Sequence, residues 1–178
     1  MLSPYRVLDL SDDGALICGQ ILADLGADVI QIEPPGGAAA RGRGPFAGTL
    51  PHPERSLFWW AYARNKRGMV IDLETQAGRD ELLALACTAD FLIESFPPGE
   101  MARRGLGPER LAERNPALIV VSITPFGQDG PKAGWAATDL TLLAAGGPLA
   151  LTGDEDRPPV RVVPPVSDVE VELSRLFT

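Results

Sequence analysis

The stretch "YRVLDLSDDGALICGQILADLGADVIQIE", residues 5–33, decides the fold. It begins and ends in short apolar runs, residues 5–10 and 28–33, that read as β-strands. Between them Ala15, Leu16, Cys18, Ile21, Leu22 and Leu25 recur at helical spacing. Asp12 or Asp13 stands where that helix needs a cap, and Gly26 marks its end. Strand, helix and strand within about thirty residues form a βαβ unit, which dictates a parallel pair with a right-handed crossover.

The same rhythm continues outward. "MVIDL" (69–73) precedes a helix expected over 75–88, and "DFLIES" (90–95) is a strand followed by a helix near "GPERLAERN". "ALIVVSIT" (117–124) reads as a long buried strand, and a helical stretch over 138–145 ends at Gly146 and Gly147. Apolar runs with little alternation describe strands covered on both faces. The expectation is an α/β fold: an open, mostly parallel, Rossmann-like sheet with helices on both faces. Residues 1–150 are read as the α/β domain and 151–178 as a Pro-rich, charged segment. Residues 34–56 are too long for an ordinary βα connection, and connections of that length are usually functional or disordered.

Composition narrows the function classes. The 178 residues are 45% hydrophobic and 22% charged, as in an ordinary globular protein. With 24 Asp and Glu against 16 Lys and Arg, the formal net charge of −8 leaves no basic excess for a nucleic-acid backbone. Cys18 and Cys87 lie in apolar helical patterns without metal-ligand spacing, so buried free thiols are expected, and no metal site. No charged-then-apolar leader and no membrane-length apolar run is visible, and a soluble, cytoplasmic protein is the expectation.

Ligands of open α/β sheets sit beyond the carboxyl ends of the strands. Four Gly- and Pro-rich segments fall there: "SDDGALICG", "EPPGGAAARGRG", "ESFPPGEMARRG" and "SITPFGQDGPKAG". They carry Arg41, Arg43, Arg103, Arg104 and Lys132, while "ARNKRG" places Arg64, Lys66 and Arg67 just before a strand. Taken singly each is a solvated surface charge; collected in ligand-side loops of an acidic chain, they point to an anionic small molecule. Neither GxGxxG after the first strand nor GxxxxGK[ST] occurs. His52 lies between prolines in a loop, Asp139 reads as a helix N-cap, and Asp168 in "PPVSDVE" is a carboxylate in a proline-rich context.

"RVLDLS", "CGQILADLGADVIQIEPPGG", "RNKRGMVIDL", "GRDELLALACTADFLIESFPPGEMARRGLG", "ERNPALIVVSITPFGQDGP" and "TDLTLLAAGG", in this order, resemble the N-terminal part of class III CoA-transferases. That family includes formyl-CoA and carnitine CoA-transferases and α-methylacyl-CoA racemase. The resemblance implies coenzyme A or acyl-CoA as substrate with no permanently bound cofactor, and a small carboxylic acid as second substrate. By position it assigns CoA binding to Arg41, Lys66, Arg67, Ser95, Phe96 and Arg103, and makes Asp168 the nucleophile that carries an aspartyl-CoA thioester. It also implies a longer whole, so the chain reads as an N-terminal part, or as a short form completed by a second copy or a complementary chain. A non-catalytic CoA-binding module and a scaffolding remnant are the alternatives. Acyl-CoA racemase is a further one, disfavoured because Thr138 precedes Asp139 where racemases of the family carry histidine.

Overall fold

The computed structural model describes residues 1–160. Among these residues five strands, β1 (Arg6–Leu10), β2 (Asp28–Glu33), β3 (Arg67–Val70), β4 (Phe91–Glu94) and β5 (Ile119–Ser122), form one sheet. All pairings are parallel and the order is β3-β2-β1-β4-β5. The chain works outward from β1 to one edge, then crosses back to β4 and continues to the other. The order therefore reverses between β1 and β4, and that crevice is the ligand position of doubly wound folds.

Among the described residues the α-helices are α1 (Leu16–Asp24), α2 (Leu57–Tyr62), α3 (Gln76–Ala86), α4 (Glu100–Arg103), α5 (Pro108–Arg114) and α6 (Asp139–Gly146). Alternate strand residues point to opposite faces. Leu8, Leu10, Ile30, Ile32 and Leu92 pack with Leu82, Leu83 and Ala86 of α3 and Leu111 of α5. Val7, Val29 and Ile93 pack on the other face with Ala23 and Ala27, and with Cys18 and Leu22 of α1. Leu8, Leu82, Leu92 and Leu111 have no exposed surface, and each such burial contributes about 1.5–3 kcal/mol.

Local signals set the element ends. Thr75 caps α3 by accepting from the Gly78 amide at 3.1 Å. A Cβ on Gly78 would lie 2.0 Å from the Asp72 carbonyl oxygen, so glycine lets the first turn of α3 rest on the loop after β3. Gly26, at φ +97°, turns the chain from α1 into β2. The compact unit that holds the sheet spans Met1–Gly134; a second begins at Trp135 and contains α6.

The structure departs from the sequence expectation in particular places. The run 117–124 supplies a strand of only four residues, with Ile119 and Ser122 exposed, because among the described residues β5 has a single neighbour, β4. Both cysteines are free, but Cys87 at the end of α3 is exposed rather than buried. Thr138, not Asp139, caps α6, in a reciprocal box with Thr141. Residues 34–56 contain two short 3-10 turns, Ala39–Gly42 and Pro53–Arg55, and α2 follows directly.

Candidate functional site

A cleft of about 230 Å³ opens at the carboxyl end of the sheet. Leu10, Ile32, Ile71, Leu73 and Phe96 give it apolar walls; Asp12, Glu33, Asp72, Glu74 and Arg104 supply its charges. Its floor is made by the ends of β1 and β2 and by the chain leaving β3, so the parallel topology gathers residues distant in sequence.

Most lining carboxylates already have partners. Asp12 accepts from the Ala39 amide at 2.8 Å and the Ala40 amide at 3.1 Å. Its own amide donates to Ser95 Oγ at 3.0 Å, joining the chain after β1 to the chain after β4. Glu33 accepts from the Ala38 amide at 3.0 Å and from both Nε and Nη2 of Arg41, at 2.6 and 2.8 Å. Burial pushes the Glu33 carboxyl up, but the Arg41 fork and the Ala38 amide outweigh it, and the net shift is below the usual range. Arg104 lies 5.3 Å from the Phe96 ring centroid and pairs with Glu74 at 2.8 Å and Glu100 at 2.6 Å.

The residues expected to bind coenzyme A fall into two groups. Ser95, Phe96 and Arg41 stand at or beside the cleft. Arg41 also stacks 4.2 Å from the Trp59 ring centroid, and its Nη1 pairs with the exposed Glu54 at 2.9 Å. Arg103 is a turn away on α4, exposed and paired with Glu100, whose carboxyl the two neighbouring arginines, Arg103 first, lower to about 2. Lys66 and Arg67 point elsewhere. Arg67 opens β3 and pairs with Asp28 at 2.7 Å. The Lys66 ammonium is 1% exposed and donates to Asp9 Oδ2 at 2.7 Å, Gln31 Oε1 at 2.9 Å and the Leu16 carbonyl at 2.9 Å. Arg64 and Asn65 both donate to Asp24, at 2.9 and 2.6 Å. The "RNKR" segment is thus bound to carboxylates of the βαβ unit. Asp168 lies outside the described residues.

Comparison with known proteins decides the family. The model of CoA-transferase family III matches residues 2–173. The chain belongs to CoA-transferase family III. Among its relatives in that family, the succinyl-CoA:(R)-benzylsuccinate CoA-transferase subunit BbsE of Thauera aromatica is 40% identical over 159 residues, covering 89% of this chain and 39% of that protein. The succinyl-CoA–D-citramalate CoA-transferase of Chloroflexus aurantiacus is 42% identical over 168 residues, covering 90% and 40%. The crystal structure of a CAIB/BAIF family protein from Brucella suis superposes with a TM-score of 0.81 at 33% identity, over 98% of this chain and 48% of that one. This family III chain therefore spans about two fifths of the length of these curated relatives.

Sequence reasoning missed Asp9, Gln31, Glu33 and Glu54 as neighbours of the site, while Arg104 was expected among the ligand-side cations without its partners. A signal for the first two was present. Asp9 and Gln31 interrupt apolar strands at positions that face α1 together with Val7 and Val29, and polar groups buried there require partners. Among the described residues of this family III chain no His, Cys, Asp and Glu side chains group as a metal site, and no helix is long and apolar enough to cross a membrane.

Proposed function

We propose that this chain carries the CoA-binding part of a class III CoA-transferase that moves CoA between an acyl-CoA and a small carboxylic acid. The observation that carries the reading is the cleft at the carboxyl end of the sheet in a family III chain. Its volume is below the roughly 300–1,000 Å³ of a pocket for a drug-sized ligand, so it accommodates one ring system rather than a whole CoA molecule. Leu10, Ile71, Leu73 and Phe96 suit the adenine faces, and the acidic lining suits its amino group better than phosphate. The phosphates then lie outside, toward Arg41 and Arg103. At Arg41 the exposed Glu54 is the partner a phosphate displaces, while the Glu33 fork remains.

In the proposed reaction the ionised Asp168 carboxylate attacks the thioester carbonyl of an acyl-CoA. The C–S bond breaks, giving a mixed anhydride and CoA thiolate. The thiolate attacks the aspartyl carbonyl and releases the donor acid, leaving an aspartyl-CoA thioester. The acceptor carboxylate attacks that thioester, and the released thiolate then attacks the acyl carbonyl of the new anhydride, forming the product acyl-CoA and restoring Asp168. Backbone N–H groups stabilise each developing oxyanion. CoA is a substrate throughout, and a second copy or a complementary chain completes the site.

Intact-mass measurement after incubation with succinyl-CoA and other acyl-CoAs tests this. A gain equal to CoA less water, lost in Asp168→Ala, supports transfer. CoA binding without any adduct favours the second reading, a CoA-binding subunit.

A further inference from the structure

We propose that the buried Asp9–Lys66 pair is the positioning element of the cleft, with Lys66 acting through the loop after β1 rather than on ligand. This rests on the CoA reading for its effect on affinity, but not for its effect on the loop.

All three donors of the Lys66 ammonium are engaged, each on a different element: Asp9 on β1, Gln31 on β2 and the Leu16 carbonyl at the start of α1. Lys66 itself immediately precedes β3. The grip is passed on. Asp9 Oδ1 accepts from Ser11 Oγ at 2.5 Å and from the Ser11 amide at 3.0 Å. Gln31 Nε2 donates to the carbonyls of Asp9 at 3.1 Å and Ser11 at 2.9 Å. Ser11 is thereby held through its amide, carbonyl and hydroxyl, and it lines the cleft beside Asp12. Asp12 in turn holds the Ala39 and Ala40 amides and meets Ser95. One ammonium thus sets the exit of the central strand, and that exit sets two walls of the cleft.

A second observation supports the assignment. A Cβ on Gly19 would fall 1.9 Å from Asp9 Oδ2 and 3.2 Å from Lys66 Nζ. Helix α1 approaches the pair so closely that it leaves the carboxylate no alternative place, with Asp9 fully buried. In an ordinary helix interior Gly→Ala is stabilising; here it drives Asp9 off Lys66 while removing no charge.

The test compares Lys66→Met and Gly19→Ala with Asp90→Asn, in the full chain. Asp90 accepts from the Arg6 amide at 2.7 Å at the opposite end of β1, so its variant loosens the same strand away from the cleft. Amide exchange followed by NMR is the first readout. In Gly19→Ala, and in Lys66→Met where it folds, the Ser11, Ala39 and Ala40 amides are expected to exchange about tenfold faster or more, while Leu92 and Ile93 keep their protection. Uniform loss across the sheet, or unchanged rim amides, overturns the proposal and leaves the pair a plain stability element. CoA affinity by calorimetry is the second readout: about tenfold weaker in Gly19→Ala and near wild type in Asp90→Asn. Equal affinity in Gly19→Ala and wild type also overturns it. If the wild-type chain binds no CoA, the CoA reading fails, and the exchange result still decides the positioning role.

Discussion

Lys66 Nζ and Asp9 Oδ2 lie 2.7 Å apart, with both side chains at most 1% exposed. Removing one partner strands the other charge in the interior, a change that costs about 3–5 kcal/mol. Lys66→Met is therefore expected to lower the urea midpoint sharply, and Asp9→Asn less, because asparagine keeps an acceptor for Ser11. Combining the two is expected to cost less than the sum of the single changes, and a double-mutant cycle in urea measures the difference.

Glu54 competes for Arg41. The carboxylate is exposed and holds one guanidinium nitrogen that the phosphate contact proposed above would use. An exposed pair is worth about 0.2–1 kcal/mol, so Glu54→Ala is expected to tighten CoA binding by up to about fivefold. Arg41→Ala is expected to abolish measurable binding, and Arg41→Lys to weaken it, because lysine cannot keep the Glu33 fork. Calorimetric titration with CoA decides; weaker binding in Glu54→Ala would sink the idea.

Gly78 supports the wall of the cleft that Asp72 and Leu73 form. An alanine Cβ would fall 2.0 Å from the Asp72 carbonyl, a backbone atom that moves only with its loop. Gly78→Ala is expected to cost about 1–3 kcal/mol despite better helix propensity, read as a lower thermal midpoint.

Acid stability follows from three carboxylates. Glu33, Asp24 and Glu100 are all held below their ordinary values, so the folded chain binds their protons less tightly than the unfolded chain. Their contribution is complete above the unfolded value of 4.5 for a glutamate and is lost as pH falls toward about 2, the value for Glu100. Urea midpoints measured across that window are expected to fall with pH. Glu33→Gln is expected to be less stable at pH 7 and to show a shallower fall; an unchanged slope would count against Glu33 as a contributor.

Much of the architecture was legible because strand and helix periods are local. The βαβ unit of residues 5–33 needed only neighbouring residues, and the sequence boundaries of β2 coincide with those observed. What periodicity could not supply was which strand lies at an edge. The run 117–124 is apolar enough for a central strand, yet among the described residues β5 pairs with β4 alone. The cations show the same limit. Lys66 finds its partner 57 residues earlier, and only the sheet order brings them together. Arg41, Ser95 and Phe96 were found at or beside the cleft because motif position reports strand ends. Arg104 was legible as a loop cation, but its place over Phe96 depends on how α4 returns.

The sheet order also sets a timetable. β1 occupies the centre, but its neighbour β4 comes much later in the chain; the Arg6 amide and its Asp90 partner are 84 residues apart. At about 5–20 residues per second, a ribosome needs roughly 4–17 s to make that stretch. During that interval the β4-facing edge of β1, between Val7 and Leu10, has no strand to pair with. The yield of a chain of this design is expected to rise with added chaperone and when translation runs fast between β2 and β4.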